Sequence, residues 1–380
     1  MGDPADPDSE ADGEIAPETG AGRELRRGWT TGACAAAGAR AAAEALLTGR
    51  FPDPVTIVLP QGQRPAFPLA QAELAPGRAT AGVTKDAGDD PDVTHGALIL
   101  TTVERGAAGS DIVFRAGEGV GTVTRAGLTL AVGEPAINPA PRAQIRQALA
   151  DAVAVAGGDP GQLDFIVTVA IPGGARLAEK TLNARLGIVG GLSVLGTSGI
   201  VVPYSCAAWI HSIHRGIDVA RAAGLSHLAA ATGSTSEAAV KAMYELDEIA
   251  LIDMGDFAGG TLKYLRNHPV PRLTVAGGFG KLTKLAAGHL DLHSGRSRVD
   301  GGYLSALLAD LGAAREIVAG AAAAQSAGEV LHVASAAGLP LAATVAARAR
   351  EVALATLAGG IAVDVAVFDR QGNLIGHAGP

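Results

Sequence analysis

The alternation of helix and strand patterns in the second half of the chain constrains its fold most. Helical periodicity over 207–223, 236–245 and 257–267 alternates with short apolar runs that predict strands over 228–232, 249–252 and 273–276. Alternation at this spacing is typical of parallel βαβ units, in which the helices cover the sheet. Three alanine-rich helices near 303–311, 322–336 and 341–357, with a strand over 362–368, complete a predicted Rossmann-like sheet.

The first half of the chain has a different pattern. A helix capped by Thr30 or Thr31 is predicted over 32–47, and Gly, Pro and Asp separate the β-like runs that follow it. These runs cover 55–59, 79–84, 97–103, 111–115 and 120–124. An amphipathic helix to about residue 156, a buried strand over 165–171 and a helix over 176–186 come next.

We therefore predict an α/β protein of two domains. Residues 25–190 are expected to form an α+β domain with a mixed or antiparallel sheet, and residues 191–380 a Rossmann-like βαβ domain with parallel strands and C-terminal helices. The turn-forming run over 157–161 is the alternative boundary. Residues 1–24 hold eight acidic residues and one arginine, which is −7 of the formal net charge of −8, and we expect a disordered acidic tail there.

Composition argues against several classes of protein. No run of about 18 apolar residues lacks charges or turn formers, so we predict no membrane span, and the start of the chain lacks the features of a secretory signal. Cys34 and Cys206 lie far apart and indicate neither a disulfide framework nor a cysteine zinc site, so we expect a cytoplasmic protein. Aromatic residues make up 3% of the chain and no basic stripe is present, so we predict no nucleic-acid binding.

Glycine-rich turns are the strongest functional signal. Five glycines and three hydroxyl residues fall within residues 187–199. A purely structural loop seldom needs so many flexible positions, because each glycine costs about 0.5–1 kcal/mol in chain entropy. The loop therefore predicts a small-molecule site, with Gly191, Gly196 and Thr197 as candidate cofactor contacts.

A second set of candidates follows the predicted strands of the βαβ region. Asp253 comes directly after one strand, and Gly277, Gly278 and Gly280 follow the next. Ligands of open α/β sheets bind outside the carboxyl ends of the strands, where an aspartate can accept ribose hydroxyls and glycines allow close backbone approach. Plain strand-to-helix connections are the alternative interpretation.

Charged groups cluster in a turn over 83–95, which holds four acidic residues, Lys85 and a histidine. An aspartate held near Lys85 can handle a proton, whereas a polar surface turn is the alternative. Thr30 and Thr31 at a helix start can donate to anions. Two histidines and an aspartate over 289–293 hint at a metal, but such pairs are more often structural or proton-handling, so we predict no metal site.

Taken together, these segments resemble the CbiD family, the cobalt-precorrin-5B C-1 methyltransferases of the anaerobic cobalamin pathway. The similar runs stand in the family's order and span most of residues 25–294. They are LRRGWTTGACAAA (25–37), VTKDAGDDPDVTHG (83–96), GEGVGTVTRAGL (117–128), GEPAINPAPR (133–142), KTLNARLGIVGGLSVLGTSGIV (180–201), GDFAGG (255–260) and GGFGKLTKLAAG (277–288). The acidic tail is extra, and Leu292 stands where the family usually has threonine before the histidine.

The resemblance implies methyl transfer from S-adenosylmethionine to C-1 of cobalt-precorrin-5B, which yields cobalt-precorrin-6A. Because the sulfonium donor is already activated, the protein mainly aligns the reactants and excludes water. The substrate rim carries carboxylates that suit arginines and capped helix starts, and an acid of the 83–95 turn can accept the proton that the macrocycle loses. The candidate substrate contacts are Thr30, Thr31, Arg125, Arg142, Arg185 and His293, and the candidate catalytic groups are Lys85, Asp86, Asp89 and Asp90.

Two other classes stay open on the sequence alone. A nicotinamide-dependent reductase of the corrin pathway would carry a Gly-x-Gly-x-x-Gly turn that opens a helix, which we do not find. A non-catalytic tetrapyrrole carrier would bind the macrocycle without a cofactor site. The sequence leaves open which glycine-rich turn holds the cofactor and whether the chain forms a homo-oligomer; we expect the cofactor near Asp253 and residues 277–280, with the macrocycle between the domains.

Overall fold

The computed structural model describes residues 25–296 and 300–380, so the predicted tail over 1–24 lies outside the described residues. Strands and helices are numbered in chain order. The strands are β1 (Gly28–Trp29), β2 (Val55–Thr56), β3 (Ala66–Phe67), β4 (Gln71–Ala75), β5 (Arg78–Thr84), β6 (Leu98–Arg105), β7 (Val113–Ala116), β8 (Thr122–Val123), β9 (Phe165–Ala170), β10 (Ile188–Val189), β11 (Ile200–Val201), β12 (His227–Ala231), β13 (Leu251–Asp253), β14 (Arg272–Gly278), β15 (Ala362–Phe368) and β16 (Leu374–Ala378). The α-helices are α1 (Thr31–Thr48), α2 (Pro139–Val155), α3 (Gly174–Ala178), α4 (Cys206–Ala222), α5 (Ser234–Tyr244), α6 (Ala258–Asn267), α7 (Phe279–Ala286), α8 (Gly301–Asp310), α9 (Arg315–Ala323), α10 (Ala327–Ala336) and α11 (Leu341–Leu357).

Two five-stranded sheets of mixed orientation organise the chain, which confirms the predicted α/β class. The first has the order β4-β5-β6-β9-β7, with antiparallel pairs except for the parallel pair β7–β9. The second has the order β13-β12-β14-β15-β16, in which the first four strands are parallel and β16 is antiparallel. In the second sheet the parallel strands direct their carboxyl ends to one edge, where ligands of such sheets bind.

Helix α1 covers the first sheet at short range because it is built from small residues. It packs on β5, β6 and α2, and most of its alanines are fully buried. A Cβ at Gly38 would lie 2.9 Å from Thr101 Oγ1, and the Thr101 hydroxyl donates to the Ala35 carbonyl at 3.0 Å. Cys34 belongs to this core, and burial raises the pKa of its thiol to about 12, so it is a packed residue rather than a nucleophile.

Helices lie on both faces of the second sheet. Along β12, Leu228 and Ala230 face a large core that includes residues of α4, α6, α7 and α11, whereas Ala229 and Ala231 face a smaller core with Val240 of α5. This alternation is what period-2 side chains produce in a strand that is buried on both faces. No helix among residues 25–296 and 300–380 is long and apolar enough to cross a membrane.

Two helix predictions are wrong for identifiable physical reasons, and several observed elements were not predicted. The helix predicted over 176–186 is only the five-residue α3, because the Thr181 hydroxyl donates to the Ala178 carbonyl and accepts from the Asn183 amide, which ends the helix in turns. The helix predicted over 322–336 begins too early: α9 ends at Ala323, and the second helix, α10, begins at Ala327 after its N-cap Ser326. β4, β16 and α7 have no counterpart in the predicted elements.

The segment over 191–201, predicted to belong to the second domain, is built into the first half of the structure. β11 pairs antiparallel with β1, with Gly28 opposite Val201. Leu192 and Val194 are buried in the core around α1. The glycine-dense loop therefore lies beside the first sheet.

Candidate active site

A buried ion pair anchors the acid-rich turn between β5 and β6. Lys85 is 2% exposed, and its Nζ donates to Asp92 Oδ2 over 2.5 Å. The other carboxylate oxygen of Asp92 accepts from the Thr94 amide at 2.7 Å and from its hydroxyl at 2.6 Å. Burial works to raise the pKa of Asp92, but the Lys85 charge and these hydrogen bonds outweigh it and hold that pKa below its ordinary value. Lys85 therefore fixes the turn in place.

Asp86 joins this turn to the segment that leads into α1. Its carboxylate binds the Arg26 guanidinium through both oxygens and accepts from the Gly88 amide at 2.9 Å. The Trp29 amide donates to the Asp86 carbonyl at 2.7 Å. The Arg26 guanidinium is the main cause that lowers the pKa of Asp86 to about 2, so this carboxylate is a weak base at neutral pH.

Asp89 and Asp90 are more weakly engaged than Asp86. Asp89 Oδ2 accepts from the Arg26 amide at 2.8 Å, and Asp90 Oδ1 accepts from the Tyr204 amide at 2.9 Å. Within the described part of the chain, each keeps one carboxylate oxygen without a hydrogen bond. Of the predicted acids, these two therefore retain the capacity to accept a proton from a ligand.

The hydroxyls of Thr30 and Thr31 are used inside the protein. Thr30 is the N-cap of α1, and its Oγ1 accepts from the Ala33 amide at 3.1 Å. Thr31 Oγ1 donates to the Leu195 carbonyl at 3.2 Å and accepts from the Leu195 amide at 3.0 Å. The Thr30 hydroxyl therefore caps α1, and the Thr31 hydroxyl joins α1 to the glycine-dense loop.

Close packing within the protein accounts for Gly191 and Gly196 of that loop. A Cβ at Gly191 would lie 2.2 Å from the Gly119 carbonyl oxygen, and a Cβ at Gly196 would lie 2.3 Å from the Cβ of the α1 N-cap residue. Gln144 Nε2 on α2 donates to the Gly196 carbonyl at 3.0 Å and to that of Thr197 at 3.3 Å. The loop thus lies against α1 and α2, and close packing requires glycine at 191 and 196, whereas a Cβ at Gly190 would meet no heavy atom within 4 Å.

The other predicted cofactor contacts come together at the carboxyl ends of the second sheet. β13 ends at Asp253, and β14 ends at Gly278, directly before α7. A Cβ at Gly277 would lie 2.7 Å from Thr232 Oγ1, so this glycine is required for packing beside the end of β12. At Gly278 and Gly280, in contrast, a Cβ would meet no heavy atom within 4 Å.

A cavity of about 290 Å³ opens beside these strand ends. Its lining residues are Asp256, Gly280, Lys281, Lys284, Leu292 and Ser294. Lys281 Nζ donates to the Thr232 carbonyl at 2.7 Å and lies 3.1 Å from Asp256 Oδ1. That contact is an ion pair without hydrogen-bond alignment, so the buried Asp256 Oδ1 has no hydrogen bond within the described residues.

Asp253 is half-buried among charges of both signs. Burial raises its pKa above the ordinary value, and the Glu237 carboxylate acts in the same direction. The Arg185 and Lys281 cations and the Gly255 amide oppose this shift. Asp253 is thus an acceptor whose charge depends on its surroundings, which is a common property of functional carboxylates.

Arg185 reaches across to the second sheet. Its guanidinium donates to both Glu237 oxygens at 2.9 and 2.6 Å, and its Nε lies 3.6 Å from Glu248 Oε2. Together with Ser212 of α4 and Asp253, it lines a small cleft between the turn over 179–187 and the second sheet. Arg185 is therefore beside the strand ends, but two carboxylates already bind it.

The remaining predicted substrate contacts differ in solvent exposure and in the bonds that they already make within the protein. Arg142 donates to the Ile137 carbonyl at 2.8 Å and to Glu134 at 3.2 Å, so it holds its own turn together. Arg125 is exposed and packs its aliphatic stem on Gly187. His293 is exposed next to Ser294 at the cavity rim.

The start of α4 lies between the acid-rich turn and the strand ends. Tyr204, whose backbone amide donates to Asp90 Oδ1, is 54% exposed and adopts a left-handed φ of 57°. Trp209, one turn into α4, is 47% exposed, and its Nε1 donates to the Asp253 carbonyl at 3.2 Å. Two exposed aromatic residues therefore bridge the two groups of predicted site residues.

Sequence reasoning missed Tyr204, Trp209 and Lys284. Lys281 and Lys284 are three residues apart, a spacing that places two side chains on one face of a helix. Because α7 was not predicted, that spacing carried no meaning in the sequence. Among residues 25–296 and 300–380, no group of three or more His, Cys, Asp and Glu residues could hold a metal ion.

Comparisons with known proteins agree over most of the chain. The family model described as CbiD matches residues 18–203, and the model described as "CbiD, C-terminal domain" matches residues 291–379. A protein from Bradyrhizobium sp. (strain BTAi1) named cobalt-precorrin-5B C(1)-methyltransferase is 62% identical over 356 residues, which cover 93% of this chain and 94% of that protein. A protein of the same name from Brucella anthropi is 56% identical over 353 residues, 93% of this chain and 95% of its own.

Among solved structures, a crystal structure of the cobalamin biosynthesis protein CbiD from Archaeoglobus fulgidus is 28% identical in sequence. The match covers 72% of this chain and 83% of that chain, with a TM-score of 0.39.

Proposed function

Because the chain belongs to the CbiD family, we propose that it is an S-adenosylmethionine-dependent methyltransferase that methylates C-1 of cobalt-precorrin-5B. The products are cobalt-precorrin-6A and S-adenosylhomocysteine. The observation that carries this proposal is the high identity, over nearly the whole length, to relatives that bear this name.

The strand ends of the second sheet fit the cofactor. A cavity of about 290 Å³ is lined by Gly280 and by Asp256, which follows Asp253 by three residues, and the backbone at Gly278 and Gly280 faces open space. An acidic side chain at the end of a parallel strand can accept two ribose hydroxyls, and open glycines let a flat base approach the chain. These features support placing the cofactor here rather than at Gly191 and Gly196 of the glycine-dense loop, which pack against the protein.

The start of α4 fits the macrocycle. Tyr204 and Trp209 present large exposed aromatic surfaces between the acid-rich turn and Asp253. A flat tetrapyrrole gains contact area on such side chains. The exposed guanidinium of Arg125 has no ion pair within the described residues, so it is the best candidate among the three predicted arginines for a substrate carboxylate.

When bound, the cofactor would supply a methyl group from its sulfonium, and sulfur would keep the electron pair of the broken S–CH3 bond. The protein then has to hold the acceptor carbon in line with that methyl group and keep water away. Asp90 is the residue we assign as acceptor of the proton that the macrocycle loses. It keeps a carboxylate oxygen without a hydrogen bond among the described residues and is tied to Tyr204, whereas Asp86 is occupied by Arg26.

The domain division is part of the same proposal. We place an α+β domain before a Rossmann-like domain, with the boundary after Val201 rather than at residue 190. The pairing of β11 with β1 supports this position, as does the end of the first family-model match at residue 203.

The test is methyl transfer by the purified full chain. With cobalt-precorrin-5B and S-adenosylmethionine, we expect mass spectrometry to find one added methyl group on the macrocycle and an equal amount of S-adenosylhomocysteine. Macrocycle binding without methyl transfer and without S-adenosylhomocysteine binding would instead support a carrier. Oxidation of a nicotinamide cofactor would support a reductase.

The proton acceptor has its own test. Asp90→Asn should lower the rate of methyl transfer about 10²–10⁴-fold, the usual contribution of a positioned base. Asp89→Asn is the matched variant and should have a smaller effect. Full turnover by the double variant, with the unfolding temperature unchanged, would refute a role for either acid.

A further inference from the structure

The cavity beside α7 carries charges of both signs, which the proposed cofactor site does not by itself require. Lys281 and Lys284 lie on one face of α7, and Asp256 lies in the connection that follows β13. We infer that this cavity binds an α-amino-acid group, through Asp256 for the ammonium and the two lysines for the carboxylate. The inference rests on the proposed function, because the group meant is the amino-acid end of the methyl donor.

The lysines keep donors for a ligand. Lys284 is buried and its Nζ donates to the Leu292 carbonyl at 2.8 Å, and Lys281 Nζ donates to the Thr232 carbonyl. An ammonium group has three N–H donors, so each lysine retains donors after its bond to the backbone. Burial lowers the pKa of Lys284, which means that its charge is poorly solvated by water. An incoming carboxylate compensates for that lost solvation.

Asp256, in turn, has an oxygen that lacks a hydrogen-bond donor. Its Oδ1 is buried and has no hydrogen bond within the described residues, although Lys281 lies 3.1 Å away. A buried acceptor without a donor is unfavourable, because it has lost its hydrogen bonds to water and gained none in the protein. An ammonium group in the cavity supplies the missing donor.

The poorly solvated lysine charge and the aspartate oxygen without a donor together favour an amino acid over a simple anion. A plain carboxylate would satisfy Lys281 and Lys284 but would leave Asp256 Oδ1 without a donor and add a negative charge beside it. A zwitterion satisfies both parts of the cavity without a net change of charge. Asp253 ends β13 and Asp256 follows it by three residues, so the predicted ribose acceptor and the amino-acid cavity share one strand-end connection.

The experiment compares two nucleosides by isothermal titration against the full chain. S-adenosylhomocysteine carries the amino-acid end, whereas 5′-methylthioadenosine has the same adenosine and sulfur without it. We expect the wild-type protein to bind the first more tightly. Asp256→Asn and Lys284→Met should each weaken S-adenosylhomocysteine about 10- to 100-fold, the usual effect of losing one charge-assisted hydrogen bond, and leave 5′-methylthioadenosine within roughly twofold.

Controls keep the result interpretable. Lys263→Gln removes an exposed lysine of α6 and should leave both affinities unchanged. Retained binding of 5′-methylthioadenosine shows that a variant is folded at the site. Asp256→Asn preserves side-chain shape, so it tests the cavity even if Lys284→Met, which replaces a buried lysine, unfolds the helix.

The outcomes separate this inference from the proposed function. Equal wild-type affinity for the two nucleosides, or variants that lose both equally, would overturn the amino-acid cavity and leave the methyltransferase intact. Unchanged S-adenosylhomocysteine affinity in Asp256→Asn would do the same. If wild-type protein binds neither nucleoside, with or without macrocycle, both proposals fall.

Discussion

Replacing Gly280 by alanine should make the protein more stable and at the same time weaken its cofactor binding. Gly280 is the second residue of α7, and a Cβ there would meet no heavy atom within 4 Å. Glycine is less favourable than alanine in a helix by about 0.5–1 kcal/mol, and somewhat less near a helix end. We therefore expect a stabilisation of about 0.5 kcal/mol, which raises the unfolding temperature by on the order of 1 °C.

The added methyl group would enter the space that Gly280 helps to line. If the cofactor lies there, overlap with a methyl group should cost about 1–3 kcal/mol, by analogy with overpacking in cores. That range corresponds to roughly 5- to 150-fold weaker binding of S-adenosylhomocysteine. Titration calorimetry measures the affinity, and thermal unfolding measures the stability of the same preparation.

Gly277→Ala is the matched comparison three residues earlier. Its Cβ would lie 2.7 Å from Thr232 Oγ1 and 3.1 Å from Leu282 Cγ. This variant should therefore be destabilised by about 1–3 kcal/mol. Wild-type affinity in both Gly280→Ala and the larger Gly280→Val would refute cofactor binding at these strand ends, whatever their stability.

Two further predictions concern charges beside the strand ends. The Arg185 guanidinium and the Glu237 carboxylate form a mostly buried ion pair, so their interaction should stabilise the fold by about 2 kcal/mol, a value between those of exposed and fully buried pairs. Urea unfolding of Arg185→Gln, Glu237→Gln and the double variant measures this coupling energy. A coupling energy near zero would contradict the pairing. Burial raises the pKa of Asp253, so its charge is complete above that pKa and lost as the pH falls through it. As the pH is lowered, the affinity for S-adenosylhomocysteine should thus begin to fall at a higher pH than an aspartate with the ordinary pKa of about 3.9 would give. Asp253→Asn should bind S-adenosylhomocysteine weakly, and its affinity should not show this pH dependence. A wild-type affinity that does not fall in this pH range would argue against ribose recognition by Asp253.

The sequence predicted the second sheet well because its signals are local. Apolar runs such as 228–232 and the helices between them show their periods within a few residues, and β12 and β14 form as expected. The position of Asp253 and Gly278 at strand ends follows directly from those elements. Local periodicity therefore located the strand-end group before any tertiary contact was known.

The glycine-dense loop shows why the rest was harder to predict. Glycine is needed at 191 and 196 because Gly119 and Thr30 pack so closely against them that a Cβ would not fit. Those two partners lie far away in the sequence. A local excess of glycine indicates close approach but does not say whether a ligand or the backbone approaches. The same limit applies to Lys284, whose role depends on a cavity formed with Asp256.

β1 can pair with β11 only after residue 201 has left the ribosome. Gly28 and Val201 are direct partners, so the start of the described chain waits for a strand synthesised long afterwards. At about 5–20 residues per second, that interval is roughly 9–35 s. Helix α1 can pack on β5 and β6 well before then, since both strands precede residue 106. Nascent chains stalled before residue 201 should therefore have α1 packed on β5 and β6, while β1, whose strand partner is β11 in a separate two-stranded sheet, stays accessible to chaperones and proteases.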